Sequence, residues 1–185
     1  MKKGEITKRN IADAFRNLLR NNEFDEITIT DITNECDLNR LTFYYHFKDK
    51  YDLLYWIFDI DVIQPVIGTI DPVNWSDRLL CVLKEIRDKK EYYDKIITYK
   101  RMDFWNYMFE VSKTIIMDTL EAVETSDIDC LKDNFEFTSY FVAFGVSGSI
   151  YDWAANGMKE TPEEMVAKIE RVVDYFRDKA ERDKK

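Results

Sequence analysis

Apolar residues recur at three- and four-residue spacing through most of the chain, separated by short polar runs. Ile11, Phe15, Leu18 and Leu19 form the first stripe, behind Thr7 as an N-cap, and predict a helix to about Asn21. The polar break NNEFDE follows, and its Phe24 and Ile27 can fold back onto that helix. A second helix is predicted over about Thr30–Cys36, with Ile29 and Ile32 toward a small core and Asp37 and Leu38 in a tight turn. Asn39 suits the N-cap of a third helix that ends by Phe47. Asp49 then caps a fourth, from Lys50 to about Ile63, which stops near Pro65.

Beyond the Gly- and Pro-containing link VIGTIDPVN, Ser76 opens a helix to about Lys90 with Leu79, Leu80, Leu83 and Ile86 as its buried stripe. A short helix is expected over Glu91–Tyr99. A longer one follows over Asp103–Ala122, with Phe104, Met108, Val111, Ile115 and Leu120 inward, and then the polar connection TSDIDC. The penultimate helix, about Asp133–Asn156, ends at Gly157, a residue suited to the left-handed stop. Thr161-Pro162-Glu163-Glu164 combines an N-cap, a proline at the first helical position and a capping-box glutamate. The last helix carries Met165, Ile169, Val172, Val173 and Phe176 on one stripe. The fold class is therefore all-α, with about nine helices. Only five Gly and three Pro agree with long helices rather than a turn-rich β architecture.

Composition narrows the function. With 45% hydrophobic residues the 185-residue chain can bury a sizeable core. No apolar run is long enough for a membrane span, and the start MKKGEITKRN lacks the apolar stretch of a signal peptide, so a cytoplasmic, non-membrane protein is expected. Cys36, Cys81 and Cys130 are odd in number and widely spaced, which suits buried reduced thiols. His46 is the only histidine, which excludes multi-His metal sites. No H-E-x-x-H, P-loop, G-x-S-x-G or dinucleotide glycine pattern occurs. Neither an enzyme nor a bound cofactor is expected.

The functional signal lies in TITDITNECDLNRLTFYYHFKDK, residues 28–50, two short helices around a tight turn. A helix-turn-helix lays its second helix in the DNA major groove, with the first residues of that helix against base edges. Asn39, Arg40, Thr42, Tyr44, Tyr45 and His46 supply donors and acceptors there. Arg40 has the geometry for a bidentate pair with guanine. The net charge of −9 looks wrong for such a role, but it is unevenly spread. Residues 1–50 hold nine Lys/Arg and nine Asp/Glu, so the whole excess falls in 51–185. A modest phosphate contribution and a shallow salt slope are expected.

The stretch TITDITNECDLNRLTFYYHFKDKYDLL, with its Tyr44-x-His46-Phe47-x-x-Lys50 core, resembles the N-terminal domain of the TetR/AcrR family of bacterial transcriptional regulators over about residues 5–58. FGVSGSIYDWAANGMKETPEEM is similar to the effector domain of a subgroup related to the dihydroxyacetone-kinase operon activator. The resemblance implies a DNA-binding domain over residues 1–49 and a helical ligand-sensing and dimerisation domain over 50–185. It implies DNA contacts at Thr30, Arg40, Leu41, Thr42 and Tyr44, with His46 and Lys50 near phosphates. Thr28, Asn39 and Tyr45 complete the candidate set. Two departures stand out: Cys36-Asp37 where the family usually has Ala-Gly, and Leu41 where a small residue is frequent.

Eight of the sixteen residues from Phe43 to Phe58 are aromatic. Phe43 and Phe47 are expected in the small core, and Trp56 and Phe58 against the second domain. Tyr92, Tyr93, Tyr99, Trp105, Tyr107 and Phe109 either line an aromatic pocket or simply pack. Tyr55, Trp56, Tyr99, Trp105 and Met108 are the ligand-pocket candidates. Gly145, Ser147, Gly148 and Ser149 allow a close helix approach, either within the chain or in a four-helix dimer interface that the resemblance also implies. Gly145, Gly148, Ile169, Val173 and Phe176 are the dimer candidates, and two-fold symmetry would require a pseudo-palindromic double-stranded operator. The expectation is a ligand-responsive, homodimeric, sequence-specific regulator, a repressor, with a small-molecule effector. The alternative is a regulator or coactivator whose signal is a partner protein.

Overall fold

The capped apolar stripes become helices, joined by links that take their shape from specific side-chain hydrogen bonds. The computed structural model describes residues 3–99, 101–121 and 135–182, the side chains at 3, 97–104, 120 and 176–182 excepted. The side chains of Tyr99, Phe104, Leu120, Cys130 and Phe176 and the connection at 125–130 therefore lie outside the described residues. Nine α-helices are found among the described residues. They are α1 (Lys3–Asn21), α2 (Ile29–Glu35), α3 (Arg40–His46), α4 (Lys50–Phe58), α5 (Trp75–Asp88), α6 (Lys90–Tyr99), α7 (Arg101–Glu121), α8 (Phe135–Ala155) and α9 (Pro162–Arg182). The chain divides into two compact units, residues 1–65 with 89–101, and residues 66–88 with 102–185.

In the first unit, Ile11, Phe15 and Leu19 of α1 are buried against Phe24, Ile27, Ile32, Phe43 and Phe47. Helix α1 starts four residues before Thr7; Glu5 in its first turn complements the positive end of the helix dipole. Phe24 meets Phe15 edge-on at 5.9 Å and Tyr51 at 5.2 Å, so the predicted fold-back of the polar break is what closes this core. Two lysines hold the same link by its carbonyls. Lys95 of α6 donates to Leu19 (2.7 Å), Arg20 (3.3 Å) and Asn22 (3.2 Å) at the C-terminal end of α1, where helix carbonyls lack intrahelical partners. Lys50 donates to Phe24 (2.8 Å), Asp25 (3.2 Å) and Ile27 (3.0 Å).

Helix α4 passes into a π-helical turn, Asp59–Ile63, which periodicity alone had merged with it. In that turn the Asp61 carboxylate accepts from Arg16 of α1 and from Lys89, both at 2.8 Å. Burial opposes the Arg16 charge, but Asp61 outweighs it and raises the guanidinium pKa. Of the two rings expected against the second domain, residues 50–185, Phe58 does meet one of its residues, Tyr93 of α6, at 6.2 Å, whereas Trp56 turns to Phe47 of the expected DNA-binding domain at 5.7 Å. Helix α6 returns to the first unit.

In the second unit α5 packs against α9, burying Leu83, Ile86, Met165 and Val166. Gly157 and Met158 both take positive φ, 86° and 53°, at the end of α8, and Met158 N–H returns to the Trp153 carbonyl at 2.8 Å. Arg87 donates to the carbonyls of Met158 and Glu160, and the Trp153 indole donates to Glu160 at 2.9 Å. The predicted capping box forms: Thr161 N–H donates to Glu164 at 2.8 Å, and Glu164 N–H to the Thr161 hydroxyl at 3.2 Å. The expectation of buried thiols fails in part. Cys36 is half-buried and Cys81 is exposed, because Cys81 falls off the Leu83–Ile86 stripe of α5. No described helix is long and apolar enough to cross a membrane.

Asp37 adopts φ 57° in the turn between α2 and α3. A left-handed conformation costs an L-residue about 1–2 kcal/mol, partly offset by the extra chain entropy of glycine when unfolded. Asp37→Gly is therefore expected to raise stability by about 0.5–1 kcal/mol in urea unfolding, with an unchanged m-value.

Candidate nucleic-acid interface

Helix α2 begins on a reciprocal cap. Thr28 Oγ1 accepts from Asp31 N–H at 3.2 Å, while Asp31 accepts from the Thr28 N–H (2.8 Å) and hydroxyl (2.6 Å). The hydroxyl and then the backbone N–H of Thr28 hold the Asp31 carboxyl below the usual range. This contribution is present above the ordinary carboxylate pKa and is lost as pH falls through the lowered one. Thr28 is exposed, yet its hydroxyl is committed to this cap. Thr30, in the first turn of α2, is exposed, and its carbonyl accepts from Thr33 at 3.1 Å.

The turn delivers α3 through Asn39, whose Oδ1 accepts from the Thr42 N–H at 2.8 Å and the Thr42 hydroxyl at 3.1 Å. Asn39 is thus the predicted N-cap, and Thr42 is half-buried beside it. Helical spacing then divides α3 in two. Phe43 is buried with Phe47 just past its end, their rings 5.8 Å apart. Arg40, Leu41, Tyr44 and Tyr45 face solvent, with Leu41 80%, Tyr45 85% and Tyr44 47% exposed. Arg40 lies over the Tyr44 ring, 5.9 Å from its centroid, and its Nη2 donates to the Tyr44 hydroxyl at 3.4 Å. That contact holds a planar guanidinium at the exposed end of the helix, where a base or phosphate can meet it.

His46 is half-buried. Its ring meets Tyr45 edge-on at 4.9 Å and faces Gly4 of α1, where a Cβ would lie 3.6 Å from the imidazole Cε1. Lys50, expected near phosphate, is turned inward. An ammonium has three donors, and three carbonyls of the α1–α2 link surround this one, which also lies 4.6 Å above the Phe24 ring. In this position it ties α4 to the α1–α2 link. Lys48, which was not among the expected contacts although it stands in the same Lys-x-Lys run between α3 and α4, is exposed at this end, as Arg40 is.

The other predicted site residues are divided between the units. Trp56 packs on Phe47 in the first unit with Lys8 5.5 Å above its ring, and Tyr55 is half-buried there. Trp105 and Met108 belong to the second unit, where Trp105 packs with Phe109, Phe144 and Tyr151 at 5.6–6.1 Å. Gly148 sits against Trp105, which would lie 3.7 Å from a Cβ there, while Gly145 opens to solvent. Ile169 and Val173 are half-buried on α9.

Replacing Lys50 by Met keeps the aliphatic stem and removes the donors. Lys50→Met is expected to cost about 2–3 kcal/mol of stability in urea unfolding, the worth of hydrogen bonds to a charged group. Unchanged stability with weakened DNA binding would instead return Lys50 to the phosphate contacts.

The family model for bacterial regulatory proteins of the tetR family matches residues 11–55, which hold the α2–α3 pair and its supports. The model for the transcriptional regulator C-terminal region matches residues 73–175, more than half of the chain. A curated relative, the HTH-type dhaKLM operon transcriptional activator DhaS of Lactococcus lactis subsp. lactis (strain IL1403), is 34% identical over 96 residues. That match takes in 52% of this chain and 51% of the relative, so the two align over about half their lengths. Among solved structures, the dihydroxyacetone kinase operon activator DhaS has a TM-score of 0.69 at 23% identity, covering 90% of this chain and 93% of that one. A TetR transcriptional regulator from Streptococcus agalactiae 2603V has a TM-score of 0.62 at 19% identity, covering 92% and 95%. At these identities the solved structures establish the fold alone. Taken with the helix-turn-helix geometry, the two family matches identify the chain as a member of the TetR family of DNA-binding bacterial transcriptional regulators.

Proposed function

We propose that the protein acts as a homodimer on a pseudo-palindromic operator and that a signal received by the second unit controls its binding. The observation that carries the DNA reading is the division of α3: Phe43 is spent on the core, while Arg40, Leu41, Tyr44 and Tyr45 are exposed to solvent. For direction we propose activation in place of the repression expected from the sequence, because the dihydroxyacetone-kinase relatives are named as activators.

The support for a dimer is the outer face of α8. Phe137, Tyr140, Phe141 and Phe144 are 68%, 45%, 61% and 51% exposed, at helical spacing and continuous with the open Gly145. Val172 and Tyr175 of α9 are also exposed. Monomeric proteins rarely leave such a run of large apolar side chains in water. A second copy offering the same stripe would bury it.

For the signal we propose a small molecule. Its support is a pair of hydroxyls on the inner face of α8, Ser139 and Ser147, fully buried and without a hydrogen-bond partner among the described residues. A ligand polar atom would relieve a desolvation cost of about 1–3 kcal/mol for each. A partner protein is the second reading. It is favoured by the way Trp105, Phe109, Phe144 and Tyr151 fill the space between α7 and α8 with rings. Under either reading, the signal can shift the DNA-binding equilibrium only by its differential affinity for the two states.

Selection of duplexes from a random pool is expected to return a two-fold symmetric sequence. Arg40→Ala is expected to relax one or two base positions in each half-site, at a cost of about 1–3 kcal/mol per lost bidentate pair, with thermal stability unchanged. No enrichment at low salt would overturn the DNA reading. Phe141→Glu is expected to raise the dimer dissociation constant in sedimentation equilibrium by roughly 1,000-fold, from the loss of about 2 kcal/mol of burial in each of the two protomers. A wild-type chain that sediments as a monomer would refute the dimer.

A further inference from the structure

We infer that Leu41 and Tyr45 form an apolar reading pair that selects thymine methyl groups in each operator half-site. The inference rests on the DNA reading of α3 and assigns a specificity to it. Leu41 and Tyr45 stand four residues apart and therefore share one face of α3, and they are its two most exposed large apolar side chains, at 80% and 85%. The polar groups nearby are already engaged: Asn39 Oδ1 holds Thr42, and Arg40 lies on Tyr44. The face is thus built of one aliphatic side chain and one ring, bordered by a cation.

Leucine carries no donor or acceptor, so at a base edge it can reward only an apolar group. In the major groove each base pair displays hydrogen-bonding atoms, and the C5-methyl of thymine is the apolar group set beside them. An exposed leucine contributes nothing to folding at this position, and against a purely polar groove edge it would desolvate acceptors without replacing their partners. A methyl group turns that loss into burial. The Tyr45 ring meets the half-buried His46 edge-on at 4.9 Å, which limits the positions the ring can take. Leu41 and Tyr45 would then contact neighbouring methyls, while Arg40 serves the guanine or phosphate at the border.

The test replaces thymine by deoxyuridine one position at a time in the selected duplex, removing only the methyl while keeping every hydrogen-bonding atom. One or two positions per half-site are expected to lose binding about three- to fivefold each, the worth of one buried methyl. Leu41→Ala should abolish that loss at one of them: the variant binds thymine and deoxyuridine duplexes equally, and as weakly as the wild type binds the deoxyuridine duplex. Tyr45→Phe should keep the sensitivity at the other position and Tyr45→Ala should remove it. Because both side chains are solvent-exposed, the variants should unfold at the wild-type temperature. Wild-type binding that is indifferent to deoxyuridine everywhere, or a Leu41→Ala loss of equal size on both duplexes, overturns the inference while leaving the DNA reading intact. Failure to select any duplex overturns the DNA reading itself.

Discussion

The ammonium of Lys50, gathered onto the carbonyls of Phe24, Asp25 and Ile27, holds the first unit in its working shape. The link between α1 and α2 has no regular structure to satisfy these carbonyls, and half-buried backbone acceptors are costly when unpaired. Placed at the first residue of α4, the lysine meets that need and ties α4 to the segment leading into the helix-turn-helix. Lys95 does the same one turn earlier, at the end of α1. With Asp61 bridging Arg16 and Lys89, three cations from different elements hold α1, the end of α4 and the start of α6 together.

That framework explains how a domain with no net charge can present a DNA-reading surface. Its cations are divided between bracing and display. Lys50, Lys95 and Arg16 are spent on carbonyls and a carboxylate, while Arg40 and Lys48 remain exposed at the reading end. Attraction to the phosphate backbone scales with the number of phosphates neutralised. With few cations displayed, discrimination must come from side-chain shape on α3, where exposed Leu41 and Tyr45 flank a guanidinium held on Tyr44. The acidic excess lies in the rest of the chain, so the net charge of −9 belongs to residues other than those that carry the helix-turn-helix.

The helices were legible because their signals are local. The caps at Asn39, Asp49 and Thr161 and the stop at Gly157 each depend on residues within one turn of the chain. Departure from the expected pattern at Asp37 also carried its meaning locally, since the turn requires a positive φ whatever packs around it. The π-helical turn at Asp59–Ile63 was not legible, because one extra residue in a turn barely disturbs an apolar stripe and its consequence is Asp61 meeting Arg16, 45 residues away. The placement of Trp56 on Phe47 and the return of α6 to the first unit were equally hidden, for both depend on packing between elements.

By itself, then, the sequence determined the all-α class, the helix-turn-helix and the outward face of α3, because helical periodicity and capping are written within a few residues. Only the tertiary structure decided what each polar side chain does with its hydrogen bonds. Lys50 and Lys48 stand two residues apart, yet one is half-buried with its ammonium on three carbonyls and the other is exposed. Partners supplied by distant segments make that difference, and no local pattern encodes them.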